Sequence, residues 1–274
     1  MQTSSTLEQL MREFGLQAHK SLGQNFLRDP QILAKILAAA EVTRAEDTLE
    51  IGPGLGSLTV PLAQAAKTVT AVELDERLFP ALKRVLAPFD NVRLIHGDIL
   101  ALSAADLGLA EGYLVVANVP YYITSAIFRH LLETTPRPRR IVLTVQKEVA
   151  ERICAAPGDL SLLALSVQVY GTPRIAAQIP ASAFTPPPKV DSALLRVDIF
   201  PQPLIPREQL EKFFRLTKAG FSQKRKTLRN SLSAGLGISP QAAAALLEKS
   251  AIDPMRRAET LSLPEWAALT AQES

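Results

Sequence analysis

The strongest constraint in this sequence is a repeated change of period between residues 48 and 145. Short runs rich in Val, Ile, Thr and Leu at 48–51, 69–73, 92–96, 113–117 and 141–145 read as strands. Between them, stretches at 57–66, 76–86 and 125–133 carry apolar residues at helical spacing. Strands alternating with helices at this spacing return by right-handed crossovers, which lay neighbouring strands parallel. The expected fold class is therefore α/β, a doubly wound parallel sheet. A further helix is expected at 148–153 and strands at 163–170 and 193–200, with at least one of these two antiparallel at the sheet edge because the connection is short.

The flanks are helical. Leu7, Leu10, Met11 and Phe14 follow an i, i+3, i+4, i+7 pattern that closes at Gly15. Residues 19–27 read as a polar loop, and Asp29-Pro30 reads as an N-cap followed by proline at the first helical position, opening a helix to about residue 40. Pro201, Pro203 and Pro206 mark a boundary near 200, dividing the chain into domains 1–200 and 201–274. Past the boundary, helices are expected at 208–219, 223–234, 240–248 and 264–270, a small all-helical C-terminal domain.

Composition narrows the class. With 47% hydrophobic and 21% charged residues over 274 positions, the chain is globular rather than disordered or fibrous. A single cysteine, Cys154, excludes a disulfide framework and a cysteine-based zinc site, and His19, His96 and His130 show no metal-ligand spacing. No apolar run is long enough to span a bilayer, and the first residues carry Glu8 and Glu13 rather than an apolar signal segment. A cytoplasmic, metal-free, monomeric protein is expected. Net charge is only +3, yet 212–247 holds seven basic residues (Lys212, Arg215, Lys218, Lys224, Arg225, Lys226, Arg229) and no acid. Such a block suits either a solvated helix face or contact with a polyanion.

Glu50-Ile51-Gly52-Pro53-Gly54-Leu55-Gly56 follows the first sheet strand, where glycines permit a tight turn and close approach of a ligand. Glu73 ends the next strand, 19 residues after Gly54, a spacing that suits a carboxylate accepting ribose hydroxyls. Gly97-Asp98 ends a third, where the acid could meet an adenine. These features fit either a nicotinamide dinucleotide or S-adenosyl-L-methionine. Pro53 removes an N–H that a pyrophosphate would need, and Glu50 suits a sulfonium or amino group better than a phosphate; both favour S-adenosyl-L-methionine. The fourth strand ends Asn118-Val119-Pro120-Tyr121, in which an amide oxygen and a nearby carbonyl can accept from an exocyclic amine and an aromatic ring can stack on a base.

These segments, with Gly-Gln-Asn-Phe-Leu at 23–27, Phe-Thr-Pro-Pro-Pro-Lys-Val-Asp-Ser at 184–192 and Phe-Ser-Gln-Lys-Arg-Lys-Thr-Leu-Arg-Asn at 221–230, resemble the ribosomal RNA adenine-N6 dimethyltransferases over about residues 19–270. The small-subunit branch of that family is the best match. One departure is Val119, where the family more often has Leu. The resemblance implies a Rossmann-like class I methyltransferase sheet, S-adenosyl-L-methionine as cofactor, and 16S rRNA in the small subunit or its precursor as partner, dimethylated at two adjacent adenosines near the 3′ end. It implies that Gln24, Asn25, Leu27, Gly52 and Gly54 contact the cofactor, that Glu73 holds its ribose and that Asp98 holds its adenine amine. Asn118 would lie between cofactor and substrate, the Pro120 carbonyl would be a second acceptor, and Tyr121 and Phe184 would sandwich the flipped base. Lys218, Lys224, Arg225, Lys226 and Arg229 would grip RNA, with Ser222 capping the helix of that block. His19 and Lys20 suit either a solvated loop or RNA contact. A large-subunit (23S) adenine methyltransferase of the macrolide-resistance type shares nearly all these motifs. A non-catalytic assembly or transcription factor could share the fold, although the intact glycine turn and Asn-Val-Pro-Tyr argue against lost activity. A protein-glutamine methyltransferase is disfavoured by Val119 and the basic C-terminal region.

Overall fold

A computed structural model describes residues 7–19 and 22–273. In chain order the elements are α1 (Leu7–Glu13), β1 (Phe26–Leu27), α2 (Pro30–Ala40), β2 (Asp47–Ile51), α3 (Thr59–Ala65), β3 (Thr68–Glu73), α4 (Phe79–Leu86), β4 (Val92–His96), β5 (Leu114–Asn118), α5 (Thr124–Glu133), β6 (Arg140–Gln146), α6 (Lys147–Ile153), α7 (Leu162–Gln168), β7 (Gly171–Ile179), β8 (Phe184–Thr185), β9 (Ser192–Ile199), α8 (Leu210–Gly220), α9 (Leu228–Leu236), α10 (Pro240–Lys249) and α11 (Leu263–Gln272). The chain divides into two compact units, one running through Ala150 and including Arg174–Ile199, the other made of Glu151–Pro173 and the chain from Phe200 on. Against the boundary expected near 200, the segment 151–173 is thus part of the helical unit.

In the first unit, the strand order is β4-β3-β2-β5-β6-β9-β7. Strands β2 to β6 pair in parallel, and β9 runs antiparallel to β6. Successive strands step outward one way from β2 to β4 and the other way from β5, so the order reverses between β2 and β5. Their carboxyl ends part there, where sheets of this kind bind ligands. One core cluster joins Ile32 and Ile36 of α2 and Leu62 of α3 to Val69, Leu114, Val116, Val142 and Leu194 of the sheet. A second joins Leu78, Leu82 and Leu86 around α4 to Phe26 and Leu55, with Leu7, Met11 and Phe14 packed against it. The Asp29 carboxylate caps α2 through the Gln31 N–H at 2.8 Å, with Pro30 in the first turn, as its sequence predicts.

Two expectations need correction. Residues 163–170, expected as a strand, form α7, whose first turn is capped by Ser161 accepting from the Ala164 N–H. The strand is instead β7, which lies at the sheet edge with exposed or half-buried side chains between its two buried ends and contains Pro173, a residue that an edge tolerates. The helix expected at 223–234 begins only at Leu228, so Ser222 caps no helix; its hydroxyl donates to the Ala219 carbonyl at 2.6 Å.

The second unit is built on contact between α8 and α9. A Cβ at Gly235 would lie 2.6 Å from the Ala219 Cα, so only glycine lets the backbones approach this closely. Trp266 of α11 is fully buried, stacks on Phe221 with centroids 6.0 Å apart, and occupies the space a side chain at Gly220 would need. α11 begins with a reciprocal capping box between Ser262 and Glu265.

Candidate active site

A cleft with about 790 Å³ of empty volume opens at the carboxyl ends of β2, β3, β4 and β5, all within the first unit. Its floor is the turn after β2. Gly52 and Gly54 have φ of +69° and +61°, a region costly for other residues, and the Gly54 N–H donates to Glu73 Oε2 at 3.0 Å. Glu73 Oε1 accepts from the Asp75 N–H at 2.9 Å. Both carboxylate oxygens are therefore fixed by backbone, and each keeps a lone pair for a ligand hydroxyl. Burial pushes the Glu73 carboxyl above its ordinary range, and the two N–H donors pull it partly back.

Glu50 differs. It does not line the cleft, contrary to its expected place beside a sulfonium or amino group; it is buried beneath the turn. Burial raises it to about 8, an effect that the neighbouring Thr59 hydroxyl only partly offsets, so it is largely protonated at neutral pH.

The loop at 22–26 closes the cleft opposite. The Gln24 amide donates to Asp75 Oδ2 at 2.8 Å and accepts from the His19 N–H at 2.8 Å, tying the loop to the end of β3. Arg77 binds the same Asp75 through both its Nε and Nη2, holding the carboxyl down to about 2. Asp98 lines the cleft and caps its own short turn by accepting the Leu100 N–H at 2.9 Å.

At the end of β5, Asn118 Nδ2 donates to the Asn25 carbonyl at 2.8 Å. That carbonyl can only accept, which fixes which end of the amide is nitrogen. Oδ1 therefore faces the other way and accepts from the Thr144 hydroxyl. Pro120 and Tyr121 follow at the rim, and the half-buried Tyr121 hydroxyl shares a 2.6 Å hydrogen bond with the buried Ser192. Burial raises the Tyr121 phenol, so it stays neutral. Two fixed acids, a pinned amide, a rigid proline and a tethered aromatic thus face one volume. Among the described residues, no Lys or Arg lines it.

Residues 15–269 match the ribosomal RNA adenine dimethylase family. The chain belongs to this family. It is 48% identical over 264 residues to the ribosomal RNA small subunit methyltransferase A of Dehalococcoides mccartyi (strain 195), spanning 96% of this chain and 90% of the relative. Among solved structures, a dimethyladenosine transferase from Plasmodium falciparum superposes with a TM-score of 0.73 at 27% identity, covering 89% of this chain and 95% of that one. The 23S rRNA methyltransferase ErmE gives 0.72 at 28% identity, covering 90% and 99%. The enzyme is accordingly an rRNA adenine methyltransferase on a class I methyltransferase sheet.

Of the residues expected to serve this dimethylase, Gln24, Asn25, Gly52, Gly54, Glu73, Asp98, Asn118, Pro120 and Tyr121 all line the one cleft. Leu27 and Phe184 do not. They are 3% and 1% exposed and lie in the core cluster beneath α2 and α3. The reason is parity. Leu27 pairs with Phe184 across the β1–β8 ladder, so both side chains share a face, and Phe26, the alternate residue, turns toward the cleft instead. Leu74, Ile99 and Tyr122 line the cleft although no sequence motif marks them for it, and so does Phe26, whose motif at 23–27 points to Gln24, Asn25 and Leu27; all four are apolar or aromatic residues beside strand tips, where a planar ring can be sandwiched. Thr144, which holds Asn118, carries no motif of its own; Ser192, which holds Tyr121, ends the segment 184–192.

In the helical unit, Lys218 is exposed on α8, and Lys224, Arg225 and Lys226 are exposed in the turn before α9. None of these four has an ion-pair partner among the described residues. Arg229, in the first turn of α9, is half-buried and donates to Asn230 Oδ1 at 3.3 Å. That first turn holds no acid, so the cations sit against the positive end of the helix, an arrangement unfavourable to the isolated fold. His19 is exposed, and Lys20 lies outside the described residues. Among the described residues no helix is long and apolar enough to cross a membrane, and no His, Cys, Asp and Glu group could hold a metal ion.

Proposed function

We propose that this enzyme uses S-adenosyl-L-methionine to dimethylate N6 of two adjacent adenosines near the 3′ end of 16S rRNA in the small ribosomal subunit. The cofactor reading is supported by the lining of the cleft. Glu73 keeps acceptor capacity for ribose hydroxyls, Asp98 can accept an adenine amine, and the lack of lining cations among the described residues together with Pro53 disfavours a pyrophosphate. The small-subunit target is supported by the greater identity to the Dehalococcoides enzyme than to the 23S methyltransferase.

The observation that carries the proposal is the Asn118 amide, held through Nδ2 by the Asn25 carbonyl and through Oδ1 by Thr144, with one Oδ1 lone pair left to accept. An adenine amine is a weak nucleophile because its lone pair is delocalised into the ring. Asn118 Oδ1 and the Pro120 carbonyl accept its two N–H groups and bias nitrogen toward tetrahedral geometry, stabilising the positive charge that develops there. When bound, S-adenosyl-L-methionine supplies an electrophilic methyl on a sulfonium, which passes to the amine nitrogen while the carbon–sulfur pair stays on sulfur. The methylated ammonium then loses a proton to solvent, with no strong base required. Tyr121 stacks on the extruded base, and the basic residues before α9 hold phosphates of the RNA.

The test is incubation with labelled S-adenosyl-L-methionine and under-methylated small and large subunits, followed by mapping of the labelled adenines. Two adjacent N6,N6-dimethyladenosines in the small subunit are expected. Label confined to the large subunit would reassign the enzyme to the 23S type.

A further inference from the structure

Resting on that reading of the cleft, the geometry points to Thr144 as a positioning residue that sets the orientation of the Asn118 amide and thereby governs the second methyl transfer. Asn118 and Thr144 are cross-strand partners in the parallel β5–β6 register, so their side chains lie on the same face of the sheet. Thr144 is fully buried and does not line the cleft, so it touches neither cofactor nor substrate. Its hydroxyl donates to Asn118 Oδ1, while the Asn25 carbonyl accepts from Nδ2. The amide is thus clamped at both ends.

The clamp matters because the torsion that turns an Asn amide is soft and nearly two-fold. A flipped amide would present NH₂ to the target amine, donor against donor. The Asn25 carbonyl, which can only accept, selects the end of the amide that is nitrogen, whereas the Thr144 hydroxyl holds the plane of the amide from the middle of the sheet, and its loss lets the amide swing from its aim. Thr144 uses one Oδ1 lone pair and leaves the other for the target.

The two transfers depend on this clamp unequally. An unmodified adenine amine has two N–H groups and can engage Asn118 and Pro120 together. After one methylation a single N–H remains, the amine can rotate about its bond to the ring, and one correctly aimed acceptor must hold it. A loosened Asn118 therefore slows the second transfer more than the first.

The experiment compares the wild-type enzyme with Thr144→Val, which keeps the shape and removes the hydroxyl, and Thr144→Ser, which keeps the hydroxyl. Single-turnover methylation of unmethylated small subunits with S-adenosyl-L-methionine is followed by quantifying N6-methyl- and N6,N6-dimethyladenosine. In the Val variant the second transfer slows about tenfold, the effect of losing one neutral hydrogen bond, while cofactor and subunit dissociation constants stay within about twofold. Monomethyladenosine accumulates, and the Ser variant restores the wild-type product ratio. A wild-type product ratio in the Val variant overturns the inference. So does equal slowing of both transfers in Val and Ser together with lost cofactor affinity, which is the signature of packing. Failure of the wild-type enzyme to make dimethyladenosine on small subunits instead overturns the proposed function and takes this inference with it.

Discussion

The cleft of the sheet unit and the basic turn of the helical unit treat polar groups in opposite ways. In the cleft, Glu73, Gln24, Asn118 and Tyr121 are all committed to partners within the fold, through the N–H groups of Gly54 and Asp75, Asp75 itself, Asn25 with Thr144, and Ser192. In the turn before α9, Lys224, Arg225 and Lys226 have no ion-pair partner among the described residues and repel one another beside a helix N-terminus. Chemistry on a weak nucleophile needs groups aimed before the substrate arrives, because reorganisation costs barrier height. Holding a phosphate backbone needs only mobile charge, whose worth comes from counterion release. One region is specified by direction, the other by sign.

The largest test of this contrast is Asn118→Ala. Loss of the aimed acceptor should lower single-turnover methylation by roughly 10²–10³-fold or more while the cofactor dissociation constant, read by calorimetry, changes little. Equal losses of both would make Asn118 a binding residue and break the contrast. Truncating Tyr121 to Ala comes next, with an expected loss of about 1–3 kcal/mol in productive RNA engagement. Tyr121→Phe, which keeps the ring and removes only the bond to Ser192, should retain most of it.

Third, replacing Lys224, Arg225 and Lys226 together by Ala should weaken RNA binding and flatten the slope of log affinity against log salt by about 2–3, roughly 0.7–0.9 for each phosphate no longer neutralised. Turnover at saturating RNA should stay close to wild type. A fall in turnover with an unchanged salt slope would show that these residues direct rather than attract. A separate effect, on stability rather than on turnover or RNA binding, concerns Glu50, which the fold keeps protonated. Its pKa rises from 4.5 to about 8 on folding, so between those values the folded state binds one proton more than the unfolded chain, and stability falls as pH rises. Glu50→Gln, a neutral isostere, should therefore gain on the wild type as pH goes from about 5 to 8, by at most about 1.4 kcal/mol per pH unit, and gain no more above it. Thermal melting across that range would show it, and a difference independent of pH would place the charge on Glu50 at neutral pH.

The sheet was readable because β5 and β6 are buried on both faces, which writes Leu114–Ala117 and Ile141–Leu143 as apolar runs, while β2, equally buried, was marked by Leu49 and Ile51 leading into the glycine turn. The same density misled at 163–170, where a short apolar run fits a buried helix as well as a strand. β7 was invisible because an edge strand with exposed side chains carries no such run. Within the site, strand tips were legible from their glycines, acids and amide. The facing of Leu27 and Phe184 was not, because it is decided by a two-residue ladder between distant segments, and one step of parity moves a side chain from cleft to core. Thr144 escaped for a related reason. A threonine inside an apolar strand looks like ordinary packing until the register places it opposite Asn118.

The pairing of Phe26 with Thr185 also bears on how this enzyme comes into being. A nascent chain that has not yet extended to residue 185 already holds the glycine turn and Glu73. It lacks the ladder that seats the segment carrying Gln24 and Asn25. Until translation has passed that point, the carbonyl that anchors the amide at the end of β5 is tied down only through Gln24 and the packing of Phe26, so the last fastening of this loop arrives with the second half of the chain.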